Sequence, residues 1–212
     1  MSEEKLRAEL VKVCRKIERK GLVAATDGNV SCRAGEGRLL ITRGGVAKGE
    51  VEPEDIVLAD FDGNLIEGAG KPSSEILMHL FVYRNRPDVS AVVHAHPVML
   101  TAFTLAGFAF NSAILPEVWL TMGEVPTAPY GTPSTPEVAE SMAPFIAKSR
   151  AVILDRHGAV AFGKSAAEAA MRLEKLEHAA HIMFYAALLE GRTPPSSLFG
   201  KDIEKLERAF GK

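Results

Sequence analysis

His94 and His96 stand one residue apart at the end of the apolar run Ser90-Ala91-Val92-Val93-His94-Ala95-His96-Pro97. Side chains of an extended strand alternate between its two faces, so both imidazoles project from one side and can hold one cation between them. His157, in Arg156-His157-Gly158, closes a second apolar run beside a glycine that lets the backbone approach another segment closely. Glu75 follows Pro72-Ser73-Ser74 where helical periodicity begins, a position at which an acid also complements the helix dipole. One carboxylate and three neutral imidazoles make a tetrahedral nitrogen and oxygen set that suits Zn²⁺ and tolerates other divalent transition metals. A carboxylate able to leave the ion opens a position for a substrate carbonyl, which the ion polarises as a Lewis acid. Other groups compete for a role. His79 lies four residues after Glu75 and either joins it on a metal or packs, whereas His178 and His181 sit in an alanine-rich helix that packing explains. Glu117 is an acid among apolar neighbours, where burial would raise its pKa and suit it to proton transfer, and Tyr130 offers a phenol.

The elements that must position these groups follow from periodicity. Leu6, Leu10, Val13, Cys14 and Ile17 form a helical stripe over residues 3 to 20, with Gly21 as the stop. Thr26-Asp27-Gly28-Asn29-Val30-Ser31-Cys32-Arg33 and Leu39 to Thr42 read as a hairpin, followed by the glycine loop Thr42-Arg43-Gly44-Gly45. A strand over Ile56 to Ala59 turns at Asp62-Gly63-Asn64 into Leu65-Ile66. The two glycine loops, with their exposed N–H groups, hydroxyls and the Asn29 amide, can cradle a phosphate. A helix from Ser73 or Ser74 runs to about Asn85, its first turn offering hydroxyls and unpaired N–H groups to an anion. Val98 to Ala106 is helical and stops at Gly107, Ile114 to Leu120 is strand-like around Pro116, and a helix runs from Pro136 to about Ser149. Strands at 151 to 155 and 159 to 162 flank His157. Ser165-Ala166-Ala167-Glu168 is a capping box that opens the longest helix, to Glu190. A tail with Pro194-Pro195-Ser196-Ser197 ends in a short charged helix near Asp202 to Phe210.

Composition narrows the function classes. With 212 residues, 47% hydrophobic and 25% charged, the chain suits a single domain spanning 1 to 212, with 191 to 212 as a tail. A net charge of -2 without a basic run lacks the electrostatic footprint of a nucleic-acid binder, so an anionic substrate must be met locally. Two cysteines, Cys14 and Cys32, make no disulfide framework and fit a reducing cytoplasm. Neither a leader nor a membrane-length apolar run is visible, so the expectation is a soluble, unexported protein without a membrane or nucleic-acid partner.

Together, Gly28-Asn29-Val30-Ser31, Pro72-Ser73-Ser74-Glu75, His94-Ala95-His96-Pro97 and Arg156-His157-Gly158 resemble the motifs of the class II aldolase and adducin family, in order and spacing, from the first helix to about Glu190. The resemblance implies an α/β fold of three αβα layers around a central, mostly antiparallel sheet. It implies Glu75, His94, His96 and His157 as ligands of Zn²⁺, with Mn²⁺ or Co²⁺ as substitutes, and Glu75 also as the acid/base at the substrate's C3. Gly28, Asn29, Thr42, Gly44, Gly45, Ser73 and Ser74 are implied as phosphate contacts, and Glu117 as the second acid/base. The implied reaction is reversible cleavage of a ketose 1-phosphate, L-fuculose 1-phosphate or a related 5-deoxyketose 1-phosphate, to dihydroxyacetone phosphate and a short aldehyde. The implied assembly is a homotetramer with active sites between subunits. One departure stands out: the family's Thr-Pro-Ser/Thr-Gly loop is Thr42-Arg43-Gly44-Gly45 here, so a hydroxyl is lost and an arginine gained. Alternatives within the family are L-ribulose-5-phosphate 4-epimerase, which usually has aspartate in place of Glu75, and methylthioribulose-1-phosphate dehydratase. An adducin-like binding module without metal is the alternative of another class.

Overall fold

A computed structural model describes residues 2–191 and 196–211. Among the described residues, seven helices pack on the two faces of one eight-stranded sheet, in the order β4-β3-β2-β1-β5-β8-β7-β6. Helix α1 (Glu3–Arg19) precedes the hairpin β1 (Asn29–Arg33) and β2 (Arg38–Thr42), which continues into β3 (Ile56–Asp60) and β4 (Leu65–Glu67). Helix α2 (Ile76–Asn85) then leads to the histidine strand β5 (Ala91–Ala95) and helix α3 (Val98–Ala106). Helix α4 (Pro116–Met122), β6 (Thr127–Ala128), α5 (Pro136–Met142), β7 (Ala151–Leu154), β8 (Gly158–Gly163), α6 (Ala166–Glu190) and α7 (Gly200–Ala209) complete the chain. Among the described residues every strand pairing is antiparallel except β6 with β7.

Alternation along the central strands feeds two cores. Ala91, Val93 and Ala95 of β5 and Ala159 and Ala161 of β8 face one apolar layer, against α1, α3 and α6. Small residues on both sides, with Ala169, Ala170, Ala179 and Ala180 on α6, let that helix lie close to the sheet, as expected of its alanine-rich interior. Val92, Val160 and Phe162 face the opposite layer, with α2 and α5. His94 shares the parity of Val92 and therefore meets α2. Its strand is buried along its whole length, as its unbroken apolar run requires.

Three expected elements differ. Ile114 to Leu120 is not a strand: Pro116 occupies the first turn of α4, where its missing N–H and fixed φ suit a helix start, and Val118 and Met122, one turn apart, are the buried pair. Helix α2 starts at Ile76 rather than Ser73 or Ser74, because Ser73 N–H donates to Thr42 O and a bridge between Arg43 and Pro72 holds this segment extended beside the end of β2. The helix expected from Pro136 to about Ser149 ends at Met142. The expected tail helix is present as α7, while Pro194 and Pro195 lie outside the described residues.

Candidate metal centre

The register of the three central strands assembles the centre. Asn29, first in β1, pairs with His94, and Ala159 of β8 pairs with Ala95, so the loop before β1 and the His157 turn both meet the carboxyl end of β5. Two glycines make that meeting possible. A Cβ on Gly28 would lie 2.9 Å from His94 O, and one on Gly158 2.4 Å from Ala95 O. His157 sits in the turn between β7 and β8, its N–H donating to Leu154 O. Glu75 occupies the residue before α2 and projects across the sheet end to the same point.

There Glu75 Oε2 lies 3.3 Å from His94 Nε2, Glu75 Oε1 lies 3.1 Å from His157 Nε2, and the Nε2 atoms of His94 and His96 are 3.0 Å apart. One ligand atom from each of the four residues falls within 4.8 Å of all the others. The protons of two of these rings, His94 and His96, can be assigned. His94 Nδ1 is 3.1 Å from the Ala159 carbonyl, which only accepts, so Nδ1 carries the hydrogen. His96 Nδ1 faces the Asp27 carboxylate at 3.5 Å and is protonated on the same ground. Two bare Nε2 lone pairs then face each other, and Glu75 Oε1 is buried without a hydrogen-bond partner among the described residues. A shared cation resolves both conflicts, and the ring protons held by Ala159 and Asp27 orient the ligands as metal centres require.

Electrostatics agree. Burial, reinforced by the neighbouring rings of His157 and His96 and opposed by Glu75, holds His94 at about 3, and burial with the His157 ring also lowers His96. Burial works to raise Glu75, but His94, His157 and the Asn29 amide together hold it well below the usual carboxylate range. Neutral imidazoles and an ionised carboxylate are the states in which these groups bind metal.

Glu75 and His96 also border a cleft of about 200 Å³ lined by the first glycine loop from Thr26 to Asn29, by Arg43, Gly44, Gly45 and Lys48, and by Ser73 and Ser74. Both loops expected to hold phosphate are therefore brought to the metal centre, but their donors are distributed differently. Thr42 does not line the cleft: its buried hydroxyl accepts from Val30 N–H. Gly44 N–H donates to Lys71 O, and the Asn29 amide is engaged by Glu75 and His79. Lys48, which sequence reasoning missed, is buried in the wall, its Nζ donating to Thr26 O at 2.9 Å and Val46 O at 2.8 Å. Burial lowers its pKa. Arg43 pairs with Asp55 at 2.8 Å beside it.

Glu117 is not buried among apolar groups. Placed in the first turn of α4 instead of a strand, it is exposed and borders a separate groove with Lys175 and His178. Tyr130 is likewise exposed. His79 is not a ligand, because the ring is directed at Asn29 and Ser31. His181 meets Glu177 at 3.2 Å, away from the centre.

The sequence profile of the Class II Aldolase and Adducin N-terminal domain matches residues 8–184. The chain is 36% identical to 3-oxo-tetronate 4-phosphate decarboxylase from Escherichia coli strain K12, over 86% of this chain and 87% of that protein. It is 35% identical to an L-fuculose phosphate aldolase from Methanococcus maripaludis, over 83% of this chain and 94% of that one. The crystal structure of YgbL from Klebsiella pneumoniae superposes with a TM-score of 0.87 at 30% identity, covering 97% of this chain and 99% of that one.

Proposed function

The chain belongs to the class II aldolase and adducin family, and on that premise we propose that it is a Zn²⁺-dependent aldolase that reversibly splits a ketose 1-phosphate into dihydroxyacetone phosphate and a short aldehyde. The observation that carries this reading is the contact of Glu75 with both His94 and His157 at the edge of a cleft walled by Lys48 and Arg43. When bound by Glu75, His94, His96 and His157, the cation supplies Lewis acidity toward the substrate's carbonyl. The chain's own groups do the rest. Lys48, Arg43, Gly28, Gly45, Ser73 and Ser74 receive the phosphate, the two cations taking the place of the hydroxyl lost at Gly44. A base removes the proton from the C4 hydroxyl, the C3–C4 bond breaks with its electron pair left at C3, and Glu75, a carboxylate in the resting site, takes up a proton from water or from that base and delivers it to C3. Glu117, exposed on α4, is the acid/base contributed to a neighbouring subunit's site in a homotetramer, and the free thiols Cys14 and Cys32 fit a cytoplasmic protein. Among the described residues no helix is long and apolar enough to cross a membrane.

A second reading is favoured by the 36% identity to a decarboxylase, a reaction absent from the expectations drawn from sequence. Decarboxylation of a phosphorylated 3-oxo acid breaks the carbon–carbon bond at the same distance from a carbonyl, and the same centre can serve it. The test is a product assay over fuculose 1-phosphate, 5-deoxyribulose 1-phosphate and 3-oxo-tetronate 4-phosphate. Dihydroxyacetone phosphate from a ketose 1-phosphate supports the aldolase. Carbon dioxide from the third substrate alone replaces it with the decarboxylase, and no product from any of them refutes both.

A further inference from the structure

Behind the metal centre a helix stripe meets a strand face. His79 and Tyr83, four residues apart on one side of α2, continue the line begun by Glu75 just before the helix, and Asn29 and Ser31 point from the same face of β1. Their polar atoms interlock as a ladder. Asn29 Nδ2 donates to Glu75 Oε2 at 2.8 Å, Asn29 Oδ1 meets His79 Nε2 at 2.5 Å, His79 Nδ1 meets Ser31 Oγ at 2.6 Å, and Ser31 Oγ meets Tyr83 Oη at 2.7 Å. Asn29, Ser31, His79 and Tyr83 are all buried, so no bulk water completes these bonds.

The direction of every bond follows from its end. A carboxylate only accepts, so the Asn29 amide must turn its NH₂ to Glu75 and its oxygen to His79. His79 Nε2 therefore carries a proton. Burial holds this imidazole down to about 4, against the attraction of Glu75, so at neutral pH it has one proton and Nδ1 is a lone pair. Ser31 must then donate to Nδ1, and its oxygen accepts the hydrogen of Tyr83. Tyr83, Ser31, His79 and Asn29 thus each donate toward the carboxylate, and reversing any one bond leaves a buried acceptor facing an acceptor.

We propose that His79 is a positioning residue for the metal centre, setting through the Asn29 amide which oxygen of Glu75 stays bound to protein and which is left to the ion. Oε2 carries the Asn29 bond, whereas Oε1, 3.1 Å from the ligand ring of His157, has no hydrogen-bond partner among the described residues. The inference rests on the metal reading given above and is independent of whether the reaction is aldol cleavage or decarboxylation. Loss of such an outer partner typically lowers metal affinity 10- to 100-fold, roughly.

The test measures zinc affinity by competition with a chromophoric chelator, together with melting temperature, and the ring-nitrogen NMR shifts of the metal-free wild type. His79→Phe keeps the ring and removes both nitrogens, and its zinc affinity should fall by about 10- to 100-fold. His79→Gln retains a donor toward Asn29 and should stay within about threefold of wild type, a rescue that a packing role would not produce. The NMR spectrum should place the His79 proton on Nε2. A folded His79→Phe protein with zinc affinity within about threefold of wild type, or a proton on Nδ1, overturns the proposal; if that variant does not fold, the NMR result decides alone. A wild type that binds no zinc sinks the metal reading itself and the relay with it, whereas wild-type binding that His79→Phe leaves intact sinks the relay alone.

Discussion

Replacing Gly158 by alanine separates the position of His96 from the chemistry of its ring. The added Cβ would sit 2.4 Å from Ala95 O, 2.9 Å from His96 Cδ2 and 3.1 Å from His96 Cα. Real Cβ atoms essentially never come closer than 3.0 Å, so the end of β5 must retreat by 0.6 Å to relieve the first contact alone. That displacement falls on the backbone that carries His96, while His157, next to the substituted residue, is pushed the other way. Ligand distances in a metal centre tolerate only about 0.2 Å, so the ligand set opens beyond what one ion can bridge. Zinc affinity should fall by at least about tenfold and turnover by about 100-fold, the loss typical of a misplacement of about 1 Å. Overpacking should also cost about 1–3 kcal/mol, which lowers Tm by roughly 2–4 °C per kcal/mol in a chain of this size. Gly107→Ala is the control: its φ is +70° and no atom lies within 4 Å of the added Cβ. It should lose about 1–2 kcal/mol to backbone strain and leave zinc affinity unchanged. Chelator competition, calorimetric melting and a product assay on the three proteins measure this. Gly158→Ala with wild-type zinc affinity would refute the argument that close approach of β8 to β5 sets the centre.

Chelator treatment should abolish turnover and lower Tm, and Zn²⁺, Mn²⁺ or Co²⁺ should each restore activity; an enzyme fully active after exhaustive chelation contradicts the centre. Lys48→Met should raise KM for a ketose 1-phosphate by about tenfold or more with a smaller change in kcat, since it removes a charge from the phosphate wall; an unchanged KM would assign Lys48 to loop bracing alone. Glu75→Gln and Glu117→Gln should each be inactive alone, and subunits mixed and reassembled should recover about a quarter of wild-type activity if each site takes the two acids from different subunits. No recovery on mixing would place both acids in one subunit or remove Glu117 from the reaction. Burial holds His94 at about 3 and His79 at about 4 in the folded chain, while the unfolded chain takes up these protons near ~6.5. Between those values the unfolded state binds more protons, so this stability is fully present above ~6.5 and is lost as pH falls toward 4 and then 3. Urea midpoints of metal-free protein should be lower at pH 5 than at pH 7.5, and the reverse order would contradict the sign.

What could be read from sequence depended on how local the signal was. The run Val92-Val93-His94-Ala95-His96 announces a buried strand with two imidazoles on one face, because alternation is a property of the strand alone. Helix α4 was missed although Val118 and Met122 are four apart, because an apolar stretch with Val118 and Trp119 around a proline satisfies a strand template over so short a length, and only the first-turn preference of Pro116 decides. Lys48 could not be found, since a lone lysine after a glycine loop reads as solvated until the fold buries it between Thr26 and Val46. The relay lies between these cases. Glu75 at the cap of a helix, with His79 and Tyr83 at further intervals of four along a face otherwise buried through Ile76, Met78, Leu80 and Val82, demands polar partners, because leaving such groups unpaired in a core costs about 1–3 kcal/mol each. Asn29 and Ser31, two apart on a strand and alternating with the apolar Val30 and Cys32, make the same demand at the strand's period. A period of four and a period of two can satisfy each other only if α2 lies across the start of β1, so the two sets of polar residues already require the packing that carries Glu75 to the histidines.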